Sequence, residues 1–424
     1  MSQFIDACAA GFSPDGDPET NSRILSKLLE ENLFVRVSAP GIYPIGGAVV
    51  IGSGRTLDFA PGAILKRTVP PSGATYAIIN RAAYAEDGSA PDENITVTGL
   101  HLICGGVERC PIGKNPMAIT GLRGQLSFFR VRGLVIRGFE TLDLPAQDFG
   151  IHICTFENVL IEDVHIEGRK DAVHFGRGTG FTVRRGLFRT FDDPIALNAH
   201  DYASSNPQLG PIENGLIEDC TDLDDTDTTG FFCRILAGSW CRWQSGMTIR
   251  NSDTVVTERG LYRAVMAADG KEFVSLTEPT HTRGTKTMDG INWAFVQKDV
   301  CFDCGCRNII FRNIRIEKNR PTAFSIHFDD DAYSHSVYPG SVPPVQENII
   351  ISGVRVTGKV PVFLSTKTPL RNCLIENYEL NGGKLRFSSI PSVLQYPEAG
   401  ITLTNTASAG VIEDERVPYS IRKL

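Results

Sequence analysis

The sequence predicts an all-β chain that folds as a single-stranded, right-handed parallel β-helix with an N-terminal helical cap. Three observations predict this fold. Strand-like segments of similar sequence recur between about residues 94 and 380, their uninterrupted period is 22 to 25 residues, and Asn, Asp or Gly stands in the turns between them. One coil of this length cannot bury its own apolar face, so neighbouring coils must stack into one continuous core.

Nine segments carry the repeat, and in each of them a short apolar run leads into a polar turn. They are residues 95–100, 134–139, 159–164, 181–186, 215–220, 247–252, 309–314, 349–354 and 373–378. Leucine-rich repeats have a similar period, but their fixed Leu and Asn positions are absent, and an immunoglobulin-like array needs longer units. We therefore expect one elongated domain over residues 1–424, with its coils at 94–380.

An N-terminal cap region is expected over residues 1–60. Residues 14–32 begin with turn-forming Pro, Asp and Gly and continue with leucines at helical spacing, which predicts one amphipathic helix. Thr20 or Asn21 is the expected N-cap. The helix would cover the open end of the stacked core.

Two other segments depart from the period. Residues 253–300 are the longest interruption and contain Asp269-Gly270, a hairpin signal, so they predict an inserted loop or hairpin. Residues 390–424 lose the repeat and predict a C-terminal cap. Trp240, Trp243 and Trp293 fall near the insertion, where they could stack on sugars or simply pack.

The composition is that of an ordinary globular protein, with 42% hydrophobic and 21% charged residues. A net charge of −7 argues against a nucleic-acid or anionic-membrane partner. There is no run of 18 apolar residues, and the first residues lack the pattern of a signal peptide. A homo-oligomer is left open.

Eleven cysteines are present, and they lack the regular spacing of a disulfide framework. Cys104, Cys154, Cys233 and Cys373 lie in apolar strand-like runs, which predicts buried free thiols and a reducing compartment. We therefore expect a cytoplasmic protein. Three further cysteines have spacing typical of a metal site but no fourth ligand, so no zinc is expected at Cys301, Cys304 and Cys306.

The polar residues that stand out lie between positions 170 and 201. Asp171 and Asp193 are 22 residues apart, one period, so they should stack on neighbouring coils about 4.8 Å apart. By the same count Asp192 lies over Lys170, and His152, His174 and Ala196 share a column. Stacked carboxylates repel one another, so some of their pKa values should rise.

This stretch resembles the polygalacturonase-type glycoside hydrolases of the pectin lyase-like superfamily, in a divergent bacterial branch. The resemblance rests on residues 171–174, which read Asp-Ala-Val-His, and on 191–198 one coil later, which read Phe-Asp-Asp-Pro-Ile-Ala-Leu-Asn. The family carries Asn-Thr-Asp-Gly and then Gly-Asp-Asp at these places. The resemblance implies that Asp192 is the general acid, and that Asp171 and Asp193 hold and activate water in an inverting hydrolysis.

The remaining site residues follow from the same alignment and its surroundings. The expected substrate-binding residues are Lys170, His174, Asn198, His200, Asp201 and Arg234. Lys170 stands where the family has Thr, and Ala172 where it has Gly. The family's Gly-His-Gly and Arg-Ile-Lys motifs, the second of which grips the galacturonate carboxylate, are absent. The resemblance therefore implies glycoside cleavage without identifying the sugar.

We accordingly expect a glycoside hydrolase that acts on an oligo- or polysaccharide with no cofactor and no metal. One alternative is a polysaccharide lyase or glycan-rearranging enzyme on the same fold, with Lys170 or Arg234 as base. The acidic run at 329–331, which follows Ser325-Ile326-His327-Phe328, could then bind calcium, line the groove or form a solvated turn. The other alternative is a non-catalytic glycan-binding or adhesion β-helix.

Overall fold

The computed structural model describes residues 4–69, 76–85, 90–108, 121–202, 205–225, 229–387, 399–404, 410–412 and 419–423. In these residues the chain winds as a parallel β-helix, because strands of successive coils pair in parallel and in register. This confirms the predicted fold class. No helix of the described residues is long and apolar enough to cross a membrane.

The larger parallel sheet contains 23 strands among the described residues. They are Ile5–Asp6, Phe34–Val37, Val49–Ile51, Thr56–Phe59, Ile78–Asn80, Asp92–Thr98, Gly124–Arg137, Phe149–Glu162, Val173–Phe175, Gly178–Arg184, Ile195–Asn198, Ile212–Glu218, Cys233–Leu236, Cys306–Arg312, Thr322–His327, Gln346–Ser352, Val362–Thr366, Leu370–Arg371, Cys373–Glu376, Lys384–Phe387, Ala399–Thr404, Val411–Ile412 and Tyr419–Lys423.

A second parallel sheet, with nine strands in the described part of the chain, forms another side of the coils. Its strands are Gly41–Ile45, Ala63–Arg67, His101–Ile103, Glu140–Leu144, His165–Gly168, Leu187–Thr190, Thr221–Asp222, Arg315–Ile316 and Arg355–Val356. A short 3-10 helix, Arg81–Tyr84, lies on one of the early coils.

The coils extend beyond the predicted range of 94–380 at both ends. Phe34–Val37 already pairs in parallel with Thr56–Phe59, inside the segment predicted as cap. Tyr419–Lys423 pairs in parallel with Ala399–Thr404, so the described part of 390–424 continues the β-helix. Val35 and its partner Leu57 are 22 residues apart, but Leu57 and its partner Val97 are 40 residues apart, so an irregular step separates the early coils from the repeat that begins near residue 94.

The predicted N-terminal helix is present as Pro18–Glu31, and it buries Leu25 and Leu29 in the main core. Its N-cap is Asp17, not Thr20 or Asn21, because the Asp17 carboxylate accepts the Thr20 N–H at 2.8 Å. Proline fits the first helical position, where no N–H is needed, so the helix begins before the predicted cap.

The insertion is larger than predicted and spans residues 237–305, between two coil strands. It holds a five-stranded sheet made of Cys241–Arg242, Thr254–Thr257, Gly260–Ala264, Thr285–Met288 and Ile291–Gln297. Two antiparallel pairs accompany this sheet, Gly238–Ser239 with Asp303–Cys304 and Met247–Ile249 with Phe273–Ser275. A separate apolar cluster around Tyr262 and Trp293 forms its core.

Two sequence interpretations of this region were wrong. Residues 247–252 do not form a coil, since Met247–Ile249 pairs antiparallel within the insertion. Asp269-Gly270 does not join two paired strands, because the hairpins turn at residues 258–259 and 289–290. Alternating apolar residues fit a strand of either kind, so the pattern alone cannot distinguish a coil strand from an inserted hairpin.

The core of the β-helix is built from columns of apolar residues that repeat at the same place in each coil. One column is fully buried and runs Val97, Ile136, Ile161, Val183, Ile217, Phe311, Ile351 and Ile375. In the neighbouring column a glycine replaces the aliphatic residue at position 215, where a Cβ would lie 2.2 Å from the ring of Phe181. The large Phe181 ring therefore requires Gly215 on the next coil.

The turn beside this core carries a ladder of asparagines with left-handed backbone, such as Asn308 at φ 57°. Its side-chain amide donates to Asn214 at 3.0 Å and accepts from Asn348 at 2.9 Å. We expect Asn308→Ala to lower the free energy of unfolding by about 1–2 kcal/mol, because alanine strains the left-handed turn and ends the ladder.

Denaturant unfolding measures this loss. The matched control is Asn308→Gly, which keeps the left-handed conformation accessible but also lacks the amide. The difference between the two variants isolates the backbone strain, and equal stability of the two would contradict a strained turn at this position.

Candidate active site

Two adjacent coil strands, Val173–Phe175 and Ile195–Asn198, position the predicted carboxylates. Val173 pairs with Ile195, and the Ala172 N–H donates to the carbonyl oxygen of Asp193 at 2.9 Å. The predicted one-period step is therefore present in the structure, and His152, His174 and Ala196 occupy one column as expected.

The three predicted catalytic aspartates form one cluster. A carboxylate oxygen from each of Asp171, Asp192 and Asp193 lies within 4.8 Å of the other two. Asp171 and Asp193 are fully buried, whereas 23% of the Asp192 side chain is exposed. Lys170 forms an ion pair with Asp192. The exposed edge of the cluster is thus made by Asp192 and Lys170.

Asp171 is held in place by a buried histidine. His174 Nδ1 lies 2.8 Å from Asp171 Oδ2, and His174 Nε2 lies 3.1 Å from Asp201 Oδ2. Burial opposes a positive imidazole, but the two carboxylates outweigh it and raise the pKa of His174. Burial likewise opposes the anion of Asp171, yet Lys170 and His174 lower the pKa of this carboxyl. Asp171 is therefore the ionised member of the cluster.

Asp193 is contacted from the next coil. The Phe231 N–H donates to Asp193 Oδ1 at 2.7 Å, and Arg234 Nε lies 3.2 Å from Asp193 Oδ2. Burial, followed by the charge of Asp192, raises the pKa of Asp193 to about 8. Burial and the charge of Asp171 also raise the pKa of Asp192. The Asp192–Asp193 pair therefore retains a proton near neutral pH.

Two acceptor atoms in this cluster accept no hydrogen bond from the described residues. They are Asp171 Oδ1 and Asp193 Oδ2, and both are buried. A buried carboxylate oxygen without a donor is costly unless a bound molecule satisfies it. The same oxygens are also of the type that binds a divalent cation, although Lys170 and Arg234 already bring two positive charges to the cluster.

Four of the residues predicted to bind substrate have no exposed surface: His174, Asn198, His200 and Asp201. Asn198 donates to Asp201 at 2.8 Å, so it orients this carboxylate. His200 does not join the aspartates, since its ring contacts Thr254 of the insertion at 3.4 Å. In this structure neighbouring residues therefore enclose all four side chains, and substrate binding by them stays a prediction.

Lys170 and Arg234 do reach the surface of the site, with 17% and 12% of their side chains exposed. Burial opposes the charge of Lys170, but Asp171 and Asp192 raise the pKa of its ammonium. Arg234 is kept charged in the same way, because Asp193 and Asp201 outweigh burial and raise its pKa. Both residues are therefore cations that already face carboxylates.

Sequence reasoning missed several residues around this cluster. Phe149 stacks on the ring of His174 with centroids 3.9 Å apart, and Arg320 donates to the backbone oxygen of Asp192 at 3.3 Å. The period could have identified Phe149, which lies 22 residues, one coil, before Asp171. No signal in the sequence points to Arg320, because the insertion separates it from the aspartates.

The tryptophans, the acidic run and the cysteines that the sequence analysis singled out lie outside the aspartate cluster. Trp240 and Trp293 are buried, and Trp243 donates to Ser275 Oγ at 2.9 Å, so the tryptophans pack within the protein. The acidic run at 329–331 is not a solvated turn throughout, because Asp329 pairs with His327 at 3.0 Å. Cys104, Cys154, Cys233 and Cys373 are buried free thiols, as predicted.

Comparisons with known proteins add information on the fold. No family model matches the sequence, and no curated protein matches it. Among solved structures, the N-terminal fragment of bacteriophage Phi29 gene product 12 is similar with a TM-score of 0.51 at 10% identity, covering 98% of this chain and 65% of the fragment.

Two enzymes are also among the similar structures. The family 28 exopolygalacturonase of Yersinia enterocolitica has 15% identity and a TM-score of 0.48, covering 100% of this chain and 78% of the enzyme. The endo-xylogalacturonan hydrolase of Aspergillus tubingensis has 11% identity and a TM-score of 0.47, covering 96% of this chain and 98% of the enzyme. At such identities a likeness concerns the fold alone, and the likeness to the phage fragment agrees with the parallel β-helix described above.

Proposed function

We propose that the protein is a glycoside hydrolase that cleaves an oligo- or polysaccharide at the Asp171, Asp192 and Asp193 cluster. One observation carries this proposal: a partly exposed carboxyl stands beside two buried carboxylates, each of which has an oxygen that accepts no hydrogen bond from the described residues, although Arg234 forms an ion pair with that of Asp193. This arrangement provides a proton for a leaving oxygen and two acceptors for a water.

Asp192 is assigned as the general acid. It is the only one of the three aspartates whose side chain is exposed, so a glycosidic oxygen can reach it. The raised pKa of the Asp192–Asp193 pair keeps a proton available near neutral pH. When Asp192 carries that proton, the Phe231 N–H and Arg234 stabilise Asp193 as the anion.

Asp171 and Asp193 are assigned as the groups that bind and activate water. Asp171 Oδ1 and Asp193 Oδ2 accept its protons, and its lone pair is then directed at the anomeric carbon. The carboxylate oxygens lie within 4.8 Å, which is shorter than the roughly 6.5–9.5 Å spacing usual for inverting pairs. We nevertheless propose inversion, as the resemblance to the polygalacturonase-type hydrolases implies, and the anomer of the first product tests it.

The charges at the site do not favour a lyase. A lyase needs a base, and the pKa values of Lys170 and Arg234 are both raised, so neither group accepts a proton near neutral pH. Both cations also face carboxylates already, which leaves neither free to neutralise a uronate. A neutral sugar at the cleavage point fits this charge distribution better.

A screen of defined oligosaccharides tests the proposal. We expect a product whose mass includes one added water, with no absorbance of an unsaturated sugar end, and with the inverted anomer as the first product by NMR. An unsaturated product would assign a lyase, and a retained anomer would make one of the carboxylates a nucleophile. The buried free thiols support a reducing compartment, so we also propose that the protein works in the cytoplasm.

A further inference from the structure

A second set of polar side chains lies on the coil after Arg234. The strand Thr322–His327 pairs in parallel with Cys233–Leu236, which places Ser325 beside Arg234 and His327 beside Leu236. Phe324 and Ile326 point into the main core, so Ser325 and His327 project from the opposite face of the strand. This face is the one that carries Arg234, about 4.8 Å away between neighbouring strands.

Three of these side chains form a hydrogen-bonded chain. Ser325 Oγ lies 2.9 Å from His327 Nδ1, and His327 Nε2 lies 3.0 Å from Asp329 Oδ1. Burial opposes the anion of Asp329, but its bond to His327 outweighs this effect and lowers the pKa of the carboxyl. The ionised carboxylate accepts the proton on Nε2, so Nδ1 presents a lone pair and accepts the hydroxyl proton of Ser325.

This order of groups is the one that activates a serine. A nucleophile, a base within hydrogen-bond reach and a third group that orients the base define the arrangement, and either ring nitrogen can serve as the base. Ser325 is 6% exposed and the His327 side chain is 12% exposed, so each keeps a small solvent-accessible surface. Arg234 pairs with Ser325 on the neighbouring coil strand and also contacts Asp193 Oδ2 at 3.2 Å, so the serine site borders the aspartate cluster.

We propose that Ser325, His327 and Asp329 hydrolyse acyl esters carried by a carbohydrate. Ser325 Oγ attacks the ester carbonyl while its proton passes to His327 Nδ1, and the sugar hydroxyl leaves with that proton. Water then attacks the acyl-serine, gives its proton to His327 and releases the carboxylic acid as Ser325 regains its hydroxyl. No oxidant, metal or second substrate is needed. Only the carbohydrate part of the substrate rests on the proposed glycosidase function, because Ser325 lies beside Arg234, which contacts Asp193 of the aspartate cluster.

The chain contains a matched control for this nucleophile. Ser365 pairs directly with Ser325 on the following coil and is 8% exposed, but no hydrogen bond joins it to a histidine in the described residues. A fluorophosphonate reagent labels activated serines, and peptide mass analysis identifies the labelled residue. We expect labelling of Ser325 in the wild-type protein and none of Ser365.

Activity should follow the same residues. Hydrolysis of 4-nitrophenyl acetate should fall at least about 100-fold in Ser325→Ala and His327→Gln, but remain unchanged in Ser365→Ala. Asp192→Asn should still be labelled, which separates this site from the glycosidase proposal. Thermal unfolding of each variant checks its folding, and labelling of the wild-type protein does not depend on any variant. If Ser325 is unlabelled, or is labelled no faster than Ser365, the serine is not activated and the proposal is wrong.

Discussion

Asp192→Asn is expected to lower the turnover of an oligosaccharide by about 10²- to 10⁴-fold, because an amide cannot give a proton to the leaving oxygen. The loss should be much smaller on an aryl glycoside, whose leaving group departs without protonation. Steady-state kinetics on both substrates measure the difference. In the wild-type protein the rate should fall as the pH rises past about 8, since the Asp192–Asp193 pair then loses its proton.

Variants of Asp171 and Asp193 should behave differently from Asp192→Asn on the two substrates. Asp171→Asn and Asp193→Asn impair the activation of water, which a good leaving group does not replace, so their losses should persist on both substrates. Asp224→Asn is the control, because Asp224 is exposed and lies outside the cluster. Near-normal activity of the Asp171, Asp192 and Asp193 variants on an accepted substrate would show that the reaction occurs elsewhere.

Arg320→Met is expected to lower the free energy of unfolding by about 3–5 kcal/mol, because it leaves the buried carboxylate of Asp222 without its partner. Both side chains are fully buried, and the guanidinium donates to Asp222 at 2.5 and 3.0 Å. Arg320 also donates to the backbone oxygen of Asp192 at 3.3 Å, so its loss should loosen the catalytic coil as well.

The double variant Arg320→Met with Asp222→Leu separates charge from packing. Removing both charges should restore most of the lost stability, because an apolar pair of similar volume leaves no buried charge without a partner. The loss of unfolding free energy in Arg320→Met alone should be smaller at acidic pH, because the Asp222 carboxyl, which has lost its partner, then takes up a proton. Urea unfolding measures these differences, and a single variant as stable as the wild type would mean that the pair contributes nothing.

Much of the fold and part of the site follow from the sequence alone. The apolar columns and the asparagine turns repeat once per coil. The number of residues in one coil therefore predicts which residues lie side by side on neighbouring coils. That is why the spacing alone placed Asp171 and Asp193 on adjacent coils, and His152 beside His174. Where the step changes, as between Leu57 and Val97, this counting fails and the coil boundaries were wrong.

The sequence by itself thus determined the β-helix and the aspartate cluster, because both depend on local spacing within uninterrupted coils. The tertiary structure decided which polar residues are exposed. Asn198 and His200 are fully buried, and His200 contacts Thr254 of the insertion, which the spacing of the coils could not predict. It also decided that Ser325 lies beside Arg234. These residues are 91 positions apart, and the length of an inserted sheet carries no information about the register of the strands on either side of it.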